Sequence, residues 1–147
     1  MAETVIKFQM EKDCADLIPR KAHPDDAAYD LRSRVDIVAE PMAVTLVPTG
    51  LHLELPVNFE AQIRPRSGMA LKHALTLLNT PGTIDAGYRG EICCIVFNAG
   101  KQAYPIKRGD RIAQMVICRL PEVCLQETSV LTETERGSDG FGSTGKS

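Results

Sequence analysis

No stretch of this chain runs far before a proline or a glycine interrupts it. Nine prolines and eleven glycines fall singly between short apolar runs in a sequence of 147 residues. Proline breaks the interior of a helix and glycine weakens it, whereas strands joined by turns use both, so the punctuation favours many short strands. The apolar residues between the breaks carry the period of strands as well. Ile6, Phe8 and Met10 alternate with Lys7 and Gln9, which predicts a half-buried strand over 4–10.

Further strands are expected within 27–33, two or three over 35–38 and 44–55 together, and over 59–64, 74–78, 112–118 and 123–130. The run 92–97 is almost wholly apolar and predicts a strand buried on both faces. The one helical expectation is a turn or two over 67–72, with Pro65 at the first helical position, where its missing N–H costs nothing. The whole reads as an all-β jelly-roll, sandwich or barrel, one domain by size over 1–135. From 136 to 147 the chain is Arg, Gly, Ser, Asp, Thr and Lys around Phe141, too poor in apolar surface to hold itself folded, and reads as a flexible tail.

Charge narrows the partners. The net charge is −2 with both signs interspersed and no basic stripe, which argues against a nucleic-acid polymer but leaves room for a small anion held by a few arginines. Cys14, Cys93, Cys94, Cys118 and Cys124 are odd in number and have no metal-type spacing, as expected of a protein of the reducing cytoplasm. Cys93 and Cys94 should point to opposite faces of one strand. No signal peptide, transit segment or bilayer-length apolar run is visible, so no membrane is expected.

The chemistry concentrates in Asn79–Glu91. Asp85-Ala86-Gly87-Tyr88 reads as a tight hairpin turn with Gly87 at positive φ and with Asp85 and Tyr88 facing each other across a narrow mouth. Gly82 and Gly90 remove side chains where a flat ligand could reach main-chain donors and acceptors. A surface hairpin with a solvated Asp would read the same way. Arg66-Ser67-Gly68 offers a guanidinium, a hydroxyl and bare backbone at a helix start, a phosphate-binding combination that could equally be a loop capped by Ser67. Asp30, in an apolar run, must be exposed, paired with an Arg, or near a metal. Gln114 lies inside the run Ile112–Ile117, where strand alternation alone could turn it to solvent. In the tail, Arg136, Phe141, Gly142, Ser143 and Thr144 supply a cation, a stacking ring, bare amides and hydroxyls, without the spacing of a Walker loop.

Five stretches, in order, resemble the motifs of the trimeric dUTP diphosphatases. They are Ala27-Ala28-Tyr29-Asp30-Leu31, Pro65 to Ala70, Gly82 to Glu91, Gly109-Asp110-Arg111-Ile112-Ala113-Gln114, and Arg136 to Gly145. Ala28 and Asp139 stand where the family usually has glycine, and Asp139 adds negative charge near the presumed triphosphate. The resemblance implies a jelly-roll homotrimer with shared sites that splits dUTP into dUMP and pyrophosphate with Mg²⁺, keeping uracil out of DNA and supplying dUMP for thymidylate synthesis. It implies Asp85 as general base toward a water attacking the α-phosphorus, and Tyr88 beneath the deoxyribose. Asn79 and the main chain of Thr83 and Ile84 would read the uracil edge. Arg66, Ser67 and Gly68 would hold the phosphates, and Gln114 would reach the α-phosphate or the water. Asp30 would orient hydrated Mg²⁺ or a neighbouring Arg. Arg136 would serve as an arginine finger, Phe141 would cap the base, and Gly142, Ser143 and Thr144 would bind terminal oxygens. Two other readings are a dCTP deaminase of the related trimeric family and a non-catalytic dUTP-binding regulator.

Overall fold

The computed structural model describes residues 3–142, and strands dominate it as the punctuation predicts. In chain order these are β1 (Lys7–Met10), a 3₁₀ turn (Ala15–Leu17), β2 (Tyr29–Arg32), β3 (Ile37–Ala39), β4 (Val44–Pro48), β5 (Leu51–Glu54) and β6 (Phe59–Arg64). Then come α1 (Ser67–His73), β7 (Leu75–Leu77), β8 (Gly82–Ile84), β9 (Cys93–Asn98), β10 (Tyr104–Ile106) and β11 (Arg111–Arg119). All strand pairings are antiparallel. They form a four-stranded sheet β2-β11-β6-β8, a three-stranded sheet β4-β9-β7 and the pairs β1-β5 and β10-β3.

Inward side chains of these sheets make one core. Leu31, Ala61, Ile63, Ala113 and Met115 come from the four-stranded sheet, Val47, Leu75, Leu77, Cys94 and Val96 from the three-stranded one, and Leu51, Leu53, Ala39 and Ile106 from the two pairs. The core is aliphatic, as a chain without Trp requires. Asn98 is buried within it and fully bonded, donating to the carbonyls of Ala39 and Gln102 and accepting from the Gly100 amide. A buried amide is tolerated only on those terms.

Several expectations need correction. β9 is not buried on both faces: Cys94, Val96 and Asn98 are buried and Cys93, Ile95 and Phe97 only half-buried, because a single sheet face packs on the core. Cys93 and Cys94 do point opposite ways. Phe8, expected on an inward face, is 50% exposed. Pro65 precedes the N-cap residue Arg66 rather than starting α1, and Ser67 makes no capping bond. The strand expected over 123–130 is absent: after β11 the chain runs exposed from Leu120 to Thr134, with Leu125 99% and Leu131 81% accessible. Its apolar residues Val123, Leu125 and Val130 do not keep the period of two, and no sheet edge of this protomer takes the segment up. Among the described residues no helix is long and apolar enough to cross a membrane.

Candidate active site

Register brings the first group together. β11 lies between β2 and β6, so Gln114 stands opposite Asp30 on one side and Arg64 on the other. Beyond Arg64 the chain turns through Pro65 into α1 and carries Arg66, Ser67 and Gly68 over the same end of the sheet. Arg66 Nε lies 3.4 Å from Asp30 Oδ1, and Arg111 Nη1 donates to Oδ2 at 3.2 Å. Arg66 Nη1 also donates to the Arg111 carbonyl at 3.0 Å, and Gln114 Nε2 to the Pro65 carbonyl at 2.9 Å.

Of the three options for Asp30, the structure therefore gives arginine pairing, twice. Its carboxylate is 19% exposed, and two guanidiniums supply the compensation that burial demands. Two guanidiniums face one carboxylate at this corner, and Asp26 close by balances the formal charge of the lining. The cleft beside it, about 330 Å³, is lined by Asp26, Asp30, Arg66, Ser67, Gly68, Arg111 and Gln114. A Cβ on Gly68 would meet nothing within 4 Å, so bare backbone faces open space. Gln114 is half-buried rather than turned out to solvent. Arg111 belongs to this constellation although the sequence reading did not single it out as a site residue. The signal was present in its place directly after the Gly109-Asp110 turn, at the head of the apolar run that holds Gln114.

The second group lies elsewhere. Asp85 follows β8 in a turn closed by the Tyr88 amide donating to the Asp85 carbonyl at 3.0 Å. Arg89 braces it, donating from Nη1 to the carbonyls of Ala86 at 2.7 Å and Tyr88 at 3.1 Å. Gly87 is not at positive φ, so the turn needs no left-handed residue. The flanks do not form a hairpin either, since β8 pairs with β6 while β9 pairs with β4 and β7. Gly90 does something other than what was expected: a Cβ there would push aside the Tyr88 ring, whose hydroxyl donates to the Glu91 carbonyl at 3.0 Å. At Gly82 a Cβ would press on Asn79 and Ile63. Glu91 anchors the far side, accepting from Arg34 Nη2 at 3.1 Å and from the Gly50 amide at 2.8 Å. Asn79, Thr83, Asp85 and Tyr88 are exposed and Ile84 half-buried. Among the described residues nothing bonds to the Asp85 carboxylate.

The two groups sit at opposite ends of β6. Ile84 pairs with Ala61, which puts Asp85 level with Glu60, whereas Arg66 lies beyond Arg64. Six residues of extended chain span about 20 Å. One protomer therefore does not bring Asp85 to the cleft of Arg66.

The third group is the tail. Arg136 Nε donates to the Asp139 carbonyl at 3.0 Å, and the Gly137 amide to the Thr134 carbonyl at 3.1 Å, a local coil of turns. Phe141 is fully exposed and Gly142 has φ +81°. None of these residues lines the cleft. Ser143 and Thr144 lie outside the described residues.

An antiparallel β sandwich whose cleft gathers two guanidiniums, a hydroxyl and open backbone offers donors suited to a small anion. The sequence matches the dUTPase family over residues 15–145, and the chain belongs to that family. It is 51% identical to the deoxyuridine 5'-triphosphate nucleotidohydrolase of Clostridium tetani, over 99% of this chain and 100% of that protein. The dUTPase of Staphylococcus bacteriophage 80alpha with dUPNHPP superposes with a TM-score of 0.87 at 26% identity, over 97% of this chain and 99% of that one. A point mutant of the dUTPase from phage phi11 of S. aureus, described with a structural Mg(II) ion, shares the fold at a TM-score of 0.80 and 23% identity, over 88% of this chain and 99% of that one.

Proposed function

We propose that this protein hydrolyses dUTP to dUMP and pyrophosphate in sites that each combine one protomer's arginine-held cleft with a neighbour's Asp85. The hydrolysis itself follows from family membership and the half-identical nucleotidohydrolase relative. The observation that carries the shared site is the separation of the two groups along β6. Closed rotational symmetry lets identical chains supply both halves to every site, and the threefold order is the one the family resemblance implies. Exposed apolar residues on β4, Val44 and Leu46, and on the segment after β11, Val123, Leu125, Val130 and Leu131, support an assembly that covers them.

In this reading Asp85 takes the proton of a water as its oxygen bonds to the α-phosphorus. The bond from that phosphorus to the α,β-bridging oxygen breaks, and pyrophosphate leaves. Arg66, Ser67 and the Gly68 amide hold the phosphate chain, and Gln114 orients the α-phosphate or the water. Asp30 keeps the two guanidiniums in place. Tyr88, fixed by its bond to Glu91, lies under the deoxyribose and leaves no room for a 2′-hydroxyl. Asn79 and the main chain of Thr83 and Ile84 read uracil, and cytosine would set a donor against a donor there. Arg136 and Phe141 close over the ligand, with Gly142, Ser143 and Thr144 on terminal oxygens.

A magnesium ion, where one takes part, would be brought by the triphosphate. Among the described residues no three His, Cys, Asp or Glu side chains converge on a point, and Asp30 is already taken by Arg66 and Arg111, so this chain fits a hydrated ion held through phosphate oxygens rather than a cage of its own. The ion would neutralise charge on the leaving pyrophosphate. All five cysteines are free, which supports a cytoplasmic setting.

Pyrophosphate release from a panel of deoxynucleoside and ribonucleoside triphosphates tests the reading. Release from dUTP alone is expected. Ammonia from dCTP would mark a deaminase, and binding without turnover a regulator.

A further inference from the structure

His52, on β5, makes two bonds that a neutral imidazole cannot make together. Its Nδ1 lies 2.8 Å from the Arg89 carbonyl oxygen and its Nε2 2.9 Å from Glu11 Oε1. A carbonyl can only accept, and so can a carboxylate, whereas neutral histidine carries one N–H. Both bonds form at once only when ring and carboxyl hold one proton more than imidazole plus carboxylate. The ring is the holder. The bonds to the Arg89 carbonyl and to Glu11 push the imidazole above its ordinary range, while the bond from His52 holds the Glu11 carboxyl below its own.

The position of this clamp matters more than its strength. Arg89 is the residue after Tyr88, and its own guanidinium braces the Asp85 turn through the Ala86 and Tyr88 carbonyls. His52 thus ties the braced turn to the β1-β5 pair, where it sits opposite Gln9. We propose that the imidazolium of His52 is a positioning group for the Asp85 turn, so that losing its proton loosens the turn and lowers dUTP turnover. The proposal rests on the assignment of Asp85 to the active site.

Other charges around the ring act on this in known directions. Glu91, across the turn, favours the imidazolium, as does Glu11. Arg34, which pairs with Glu91, favours the ionised form of Glu11. A histidine with a raised folded-state value contributes its interaction fully below the unfolded value and loses it as pH rises through the folded one. Glu11, lowered, contributes above its ordinary range and loses its part only in acid. The clamp is therefore whole in mildly acidic solution and gives up one of its two bonds as pH rises through the folded-state value of His52.

Two measurements on the full-length protein decide the matter. In an NMR titration the His52 Cε1–H should change with a midpoint above 6.5, and the amides of Asp85, Ala86 and Arg89 should shift with the same midpoint. In kinetics, His52→Phe removes both donors, so kcat/KM for dUTP should fall about tenfold at pH 6 and come within about twofold of wild type at pH 9. His52→Lys, a donor that stays charged, should keep more activity at pH 9 than His52→Phe. A His52 midpoint at or below 6.5, or turn amides that ignore it, overturns the clamp, and this test does not involve catalysis. A wild-type to His52→Phe ratio constant from pH 6 to 9 while the turn amides do titrate overturns the catalytic half. Asp85→Asn with normal turnover would locate that failure in the assignment of Asp85.

Discussion

The cleft around Asp30 and the turn around Asp85 are held in opposite ways. In the cleft, the central hold is between side chains, two guanidiniums sharing one carboxylate, with Arg66 and Gln114 also fixed on the Arg111 and Pro65 carbonyls. In the turn, side chains hold the backbone, through Arg89, Tyr88 and His52, and the Asp85 carboxylate is bonded to nothing among the described residues. The difference suits the two tasks proposed for them. Groups that cradle a polyanion act by being in place before it arrives, whereas a group that must take a proton needs its lone pairs free.

The largest break in this comparison comes from Asp85→Asn. Turnover should fall by about a hundredfold or more, while dUTP affinity stays within about tenfold and the melting temperature does not move. Calorimetry beside pyrophosphate release checks both halves, and near-normal turnover would remove Asp85 from the chemistry. Deleting 136–147 should cost turnover about a hundredfold and leave assembly and melting nearly unchanged, because the described part of that segment is exposed. Dissociation on size-exclusion chromatography would give the tail a structural role instead.

A smaller effect is expected on the cleft side. Arg111→Ala leaves Asp30 with Arg66 alone and should raise KM about tenfold with kcat little changed. Because Arg111 is 43% exposed, the loss of stability should be about 1 kcal/mol or less. A fall in kcat with KM unchanged would place Arg111 in the chemistry rather than in binding. Finally, Asp85→Asn and Arg136→Ala chains, each nearly inactive, should recover about a quarter of wild-type activity when refolded together, since each contribution is intact with probability about one half. No recovery, once size-exclusion shows that chains have exchanged, would mean that both residues serve a site from the same chain.

How much of this could be read beforehand depended on distance along the chain. β6 runs over the residues expected, because Phe59 to Arg64 carries its own alternation between Asn58 and Pro65. The motif residues were legible as types, yet the partner of Asp30 was not, since Arg66 and Arg111 reach it only after β2, β11 and β6 are paired. Likewise the turn 85–88 was visible, but not the separate sheets of its flanks, which depend on pairings remote in sequence. The segment 123–130 shows the converse failure. Its scattered apolar residues suggest a strand, but they lose the period of two after Leu125, and a strand also needs an edge, which none in this protomer offers.

In the proposed enzyme the exposed run from Leu120 to Glu135 would also act as a tether. With Val123 to Leu131 laid against a neighbouring protomer, only Thr132 to Glu135 would be left as a free link, short enough to keep Arg136 and Phe141 at an effective concentration on the order of millimolar around a site beside that neighbour. A lid supplied in this way can bind weakly, and so release product quickly, while still finding its site on every cycle. The same sequence added as a free peptide to the truncated enzyme would have to reach about millimolar concentration to do the same work.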